Sequence, residues 1–177
     1  MSGPTKGIGR AQVMLKWDPS PLGRPADDLD IIAATYRTEA PYGDPAYLVH
    51  FDSRSPDGTI TLSRDSRDGQ GFGYDEVMLF ELDRLSPAYS RVVVGVVVQQ
   101  DAGPKTFGQV AGTQFRVVEG QYTVLAEDDF ADVSGCTAAT VAEFRRNEAG
   151  AWVFRKDVRG YHADPTAFTT MMAGEPG

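Results

Sequence analysis

The segment Arg91 to Val98, RVVVGVVV, constrains the fold more than any other part of the chain. It is too short to span a bilayer, carries β-branched residues on both faces, and holds a central glycine. A strand apolar on both faces must be covered on both faces, so it is expected at the centre of a core. Other apolar stretches share its length and chemistry, and turn formers bound them. Ala11–Trp17 ends at Asp18-Pro19-Ser20. Leu29–Tyr36 follows Pro25-Ala26-Asp27-Asp28. Tyr47–Phe51 and Thr59–Leu62 flank Ser55-Pro56-Asp57-Gly58, a turn in which Pro presets φ and Gly accepts φ > 0, and are expected to form a hairpin.

Glu76–Leu82 alternates, with Val77, Leu79 and Glu81 on one side and Met78, Phe80 and Leu82 on the other. Phe115–Val118 and Gln121–Leu125 surround Glu119-Gly120, a second hairpin, and Thr137–Arg145 and Trp152–Phe154 surround Asn147–Gly150. Only Asp83–Tyr89 and Pro165–Met172 read as helices, both short. Helix-length periodic segments, which a doubly wound fold requires, are missing. The expectation is an all-β antiparallel sandwich of two sheets with one or two short helices, a single domain over residues 1–177. Its core is expected over about 7–168, with Gly174–Gly177 a frayed tail.

Composition narrows the function. The chain has 177 residues, 41% of them hydrophobic and 24% charged, and a formal net charge of −8. Such a surface repels phosphate backbones, so nucleic acid is not an expected general partner, whereas cations are compatible with it. Cys136 is the one cysteine, so no intrachain disulfide forms and a reducing, cytoplasmic setting is expected. Neither a secretory leader nor a membrane-spanning run is expected. The two histidines, His50 and His162, lie in no nucleophile motif, so catalysis is not expected.

The loop Asp65-Ser66-Arg67-Asp68-Gly69-Gln70-Gly71-Phe72-Gly73-Tyr74-Asp75-Glu76 is the part most suited to chemistry. Glycines at 69, 71 and 73 let the backbone curl and aim carbonyls inward, and carboxylates flank them on both sides. Calcium takes six to eight oxygens, and carboxylates with carbonyls supply both kinds. The loop has an EF-hand's length, yet Arg67 stands at its third position and Gln70 at its sixth, where that loop needs Gly. Phosphate binding is disfavoured because no Lys-Ser/Thr pair and no helix follow. A second acidic cluster, Asp27-Asp28-Leu29-Asp30, opens a strand and sets Asp28 and Asp30 on one face, about 7 Å apart. From the residues alone, both clusters read equally as cation ligands or as solvated strand ends.

These pieces, in this order, resemble the TerD family of tellurite-resistance and stress-response proteins. The resemblance rests on Asp28-Leu29-Asp30, Ser55–Gly58, Gly69–Glu76 and Phe107-Gly108-Gln109-Val110. Trp17-Asp18, Phe115–Val118, Trp152–Arg155 and Gly160-Tyr161 support it, and it covers roughly Gly7 to Phe168. It implies a cytoplasmic, non-enzymatic calcium-binding β-sandwich, with ligands carried by Asp28, Asp30, Asp65, Asp68, Asp75 and Glu76 and carbonyls from Gly69, Gly71 and Gly73. The chain departs from the family pattern at Ser66, Gln70, Phe72 and Tyr74, and Gln99-Gln100-Asp101 replaces a His-Asp pair. Fewer acids imply one calcium ion in place of two. The alternative is a protein-interaction domain of the same fold whose metal site has weakened, with Phe72 and Tyr74 as exposed aromatics, acting in a stress-response complex.

Overall fold

A computed structural model describes residues 7–65, 73–100 and 104–176. Among these residues, ten strands form two antiparallel five-stranded sheets. The strands are β1 (Arg10–Lys16), β2 (Leu29–Arg37), β3 (Tyr47–Val49), β4 (Ile60–Asp65), β5 (Glu76–Glu81), β6 (Tyr89–Val98), β7 (Gln114–Glu119), β8 (Thr123–Asp128), β9 (Ala138–Arg146) and β10 (Trp152–Tyr161). The first sheet runs β4-β5-β1-β7-β8 and the second β10-β9-β6-β2-β3. Among the described residues there is one α-helix, α1 (Pro165–Thr169), after β10. The expected all-β sandwich is the observed fold.

The interior is built by alternation. Val13 and Leu15 of β1, Met78 and Phe80 of β5, and Phe115 and Val117 of β7 meet Leu29, Ile31, Val92, Val94 and Val96 of the second sheet. All of these are essentially removed from water. Strand β6 lies at the middle of its sheet, as its two-sided apolar sequence requires. Its other face, Val93 and Val97, joins Ile32, Ala34, Phe168 and Met172 in a second apolar cluster on the outside of that sheet. The C-terminal segment therefore supplies the second cover. Gly95 is required there, because a Cβ would stand 2.5 Å from the Phe168 ring.

Three expectations are corrected. Tyr47–Phe51 and Thr59–Leu62 do not pair with each other. β3 pairs with β2 in the second sheet and β4 with β5 in the first, so the Ser55–Gly58 turn carries the chain from one sheet to the other. That turn is fastened by side chains, with Ser55 Oγ donating to Ile60 O and Asp57 Oδ1 accepting from Thr59. Asp83–Tyr89 is not an α-helix but a single 3₁₀ turn over Leu82–Arg84, since Pro87 drives the preceding residue out of helical geometry. The last helix is shorter than Pro165–Met172. It starts with Pro165 at its first turn and Asp164 Oδ1 accepting from Ala167 N at 2.7 Å. Of the tail expected to fray, Gly174 donates to Met171 O at 3.2 Å, and Glu175 and Pro176 are exposed.

Candidate functional site

The acidic residues gather at the sandwich end where β2 and β5 begin. The register of the first sheet sets Glu76 opposite Leu15 of β1 and opposite Asp65 at the end of β4. The residues between 65 and 76 thus join two adjacent strands. Gly73 has φ +78°, a left-handed conformation that favours glycine. Asp68, Gly69 and Gly71 lie outside the described residues, as does the side chain of Asp65.

Asp75 and Glu76 are buried, with 2% and 0% of their surface exposed. Each carboxylate accepts a main-chain N–H that the ladders leave over. Asp75 Oδ2 accepts from Trp17 N at 2.8 Å, just past the end of β1, while Asp75 N donates to Leu15 O. Glu76 Oε1 accepts from Ile31 N at 2.7 Å. Strand β3 is only three residues long and reaches no further than Ala33, so Ile31 lies beyond its end. Glu76 therefore reaches from the first sheet to the second and ties them together. Both carboxylates are acceptors of charge-assisted hydrogen bonds, which are stronger than neutral ones.

In the second acidic cluster, Asp27 and Asp30 are the buried carboxylates. Asp27 is buried and pairs with Lys105, while its carbonyl accepts from Trp17 Nε1 at 2.9 Å. Asp28 is half-buried and its carbonyl accepts from Gln99 N at 2.8 Å. Asp30 is buried and accepts from Gln99 Nε2. Alternation along β2 puts Asp30 on the face of Ile32, away from the interior. There it lines a cavity of about 440 Å³ with His50, Asp52, Gln99 and Asp164. Burial lowers the pKa of His50, and Asp52 opposes that shift more weakly.

The structure thus brings Asp27, Asp28, Asp30, Asp75 and Glu76 to one end of the molecule, with Glu76 hydrogen-bonded to the residue after Asp30. It does not converge them on one point. Among the described residues no three His, Cys, Asp or Glu side chains are gathered closely enough to hold a metal ion by themselves. The donor set at this end consists of carboxylates and carbonyls with no thiol, which suits a hard cation.

Lys105, Gln99 and Trp17 are the partners that sequence reasoning missed. Gln99 had a signal, since it stands where the family pattern carries a different polar pair. Gln100 fastens the same loop, donating to Val98 O and Lys105 O and accepting from Lys105 N. Tyr74, expected as an exposed loop aromatic, is half-buried, with the Lys16 and Arg116 cations 6.0 and 5.7 Å from its ring centre. Cys136 packs against the core, where its N–H donates to Val133 O and its carbonyl accepts from Phe107 N.

Fold and site together define an antiparallel β-sandwich whose acidic end links the two sheets through the buried carboxylate of Glu76. The model of the TerD domain matches residues 2–170, and the chain belongs to this tellurite-resistance family. It is 31% identical over 156 residues to tellurium resistance protein TerD of an Alcaligenes species, covering 84% of this chain and 79% of that protein. The TerD protein of Serratia marcescens is likewise 31% identical, over 153 residues, with 84% and 79% covered. A crystal structure of a homologue of telluride resistance protein (TerD) from Streptomyces coelicolor A3(2) superposes with a TM-score of 0.93. It is 58% identical, covering 96% of this chain and 100% of that one.

Proposed function

We propose that this chain is a calcium-binding, non-enzymatic module of a cytoplasmic stress response, with one ion bound between the β4–β5 loop and the start of β2. The observation that carries the reading is the burial of Asp30, Asp75 and Glu76 at one end of the sandwich. Carboxylates and main-chain carbonyls gathered at one end of a sandwich are the oxygen donors that a hard divalent cation takes. In this reading Asp65, Asp68, Asp75 and Glu76 supply carboxylates, Gly69, Gly71 and Gly73 supply carbonyls, and Asp28 and Asp30 hold the neighbouring strand start negative. The bland role of Asp75 and Glu76 as backbone acceptors is compatible with this, because a carboxylate has lone pairs on both oxygens.

The reading as an interaction module with a lost metal site gains no support from Tyr74, which lies beside Lys16 and Arg116. Calorimetric titration with calcium tests the proposal. The wild type should bind saturably with a stoichiometry of one, and Asp75→Asn/Glu76→Gln should bind far more weakly. No heat from folded wild-type protein would overturn it.

A further inference from the structure

The outer face of the second sheet carries a cluster of arginines in a protein whose formal net charge is −8. Arg91 of β6 stands directly opposite Arg145 of β9 in the ladder, and Arg155 of β10 stands opposite Glu143. Arg159 completes the group from the far end of β10, and these four line one cavity of about 130 Å³ together with Tyr42 and Asp157. Like charges placed directly across two strands are destabilising. Against these four guanidinium groups stand the carboxylates of Glu143 and Asp157, and Glu175 also lines the cavity, which leaves one positive charge in excess.

The four arginines fall into two kinds. Arg91 and Arg159 are fully committed. Arg91 donates through Nε and Nη2 to Glu143 Oε2 at 3.2 and 2.9 Å and through Nη1 to Pro41 O at 3.0 Å, and Tyr42 covers its face at 4.2 Å. Arg159 donates to Asp157, to the Tyr161 hydroxyl and to Met172 O, with the C-terminal segment packed on it. Arg145 and Arg155 differ. Their side chains are 45% and 62% exposed, and they approach Glu143 and Asp157 only at 3.5–3.6 Å, longer than a hydrogen bond. Their N–H forks are thus close to fixed carboxylates without being used up by them.

We propose that this face is an oxyanion site whose ligand is a phosphate group, free or carried on a small molecule. Arg145 and Arg155 grip the ligand, while Arg91 and Arg159 neutralise Glu143 and Asp157, the carboxylates that would otherwise repel it. A guanidinium fork matches a phosphate edge with two parallel hydrogen bonds, geometry that lysine does not provide. A diffuse attraction for anions is not available to a molecule of this net charge, so affinity for phosphate has to arise from a local arrangement. The site is on the opposite face of the sheet from the interior and does not depend on the calcium reading.

The test is calorimetric titration of the full chain, in calcium-free, low-salt buffer, with inorganic phosphate and separately with phenyl phosphate. Saturable binding of either is expected, and the tighter of the two identifies the source as free ion or ester. Arg145→Ala/Arg155→Ala should weaken that binding by about tenfold or more. Arg145→Lys/Arg155→Lys, which keeps the charge and the solubility, should fall between that variant and wild type. Arg10→Ala/Arg84→Ala removes the same charge from a distant pair on Glu81 and should leave binding unchanged. Absence of saturable binding of both probes up to about 10 mM, or equal weakening by the alanine pairs, overturns the proposal.

Discussion

The acidic end and the arginine face are both regions of concentrated charge, but the molecule neutralises them differently. At the acidic end, Asp75 and Glu76 at the start of β5 accept the backbone N–H groups of Trp17 and Ile31, so the negative charge is bound into strand ends of both sheets. On the outer face, Glu143 is wholly buried and takes two hydrogen bonds from Arg91, so charge meets charge. The difference teaches where each region is fragile. Backbone acceptors can be replaced by a neutral acceptor of the same shape, whereas a buried ion pair cannot lose one member without stranding the other.

The largest expected effect follows from that asymmetry. Arg91→Ala leaves the Glu143 carboxylate without its closest cation and should cost about 3–5 kcal/mol in denaturant unfolding. Arg91→Met/Glu143→Leu, which removes both charges, should cost much less; equal losses would mean that packing and not charge governs this face. At the acidic end Glu76→Ala should cost about 1–3 kcal/mol in calcium-free buffer, by leaving the buried Ile31 N–H without its acceptor. Glu76→Gln keeps a carbonyl oxygen at that position and should cost under about 1 kcal/mol in the same assay. If Gln is as damaging as Ala, the charge itself holds the two sheets together.

The smallest effect concerns pH. Tyr36, buried beside Arg91, has its pKa pushed up to about 12, chiefly by burial, with Arg91 acting in the opposite direction. The unfolded chain releases this proton near pH 10 while the folded chain keeps it, so stability should fall as pH rises from 10 towards 12. Below pH 10 both states hold the proton and the group contributes no slope. Tyr36→Phe should flatten that alkaline decline in melting curves taken from pH 9 to 11.5. An unchanged decline would assign it to other tyrosines or lysines.

Much of the fold was legible because the interior strands obey period-2 alternation. Glu76–Glu81 alternates between buried and half-buried residues as its sequence reads, and the valines of β6 mark the sheet centre. The Tyr47–Leu62 hairpin was misread because turn chemistry fixes the turn and not the partner. Ser55–Gly58 serves equally well for a crossing between sheets, and only tertiary packing decides which. Strand β10 extends well past Phe154 to Tyr161, and its outer half was invisible because Arg155, Lys156, Asp157 and Arg159 carry the charge expected of an edge. The two acidic clusters stand out in the sequence, but the partners of their side chains do not. Gln99, Lys105 and the Ile31 N–H are distant in sequence, and nothing local to Asp27, Asp30 or Glu76 points to them. The pairing of Arg91 with Glu143, 52 positions apart, was hidden for the same reason.

Thermal unfolding in saturating calcium and in chelator, for wild type and Glu76→Gln, tests the calcium reading most directly. Calcium at a hundredfold above its dissociation constant should stabilise the wild type by about 2.7 kcal/mol, a rise of roughly 5–10 °C, and the variant should lose most of that rise. Identical wild-type melting temperatures in calcium and in chelator would contradict it.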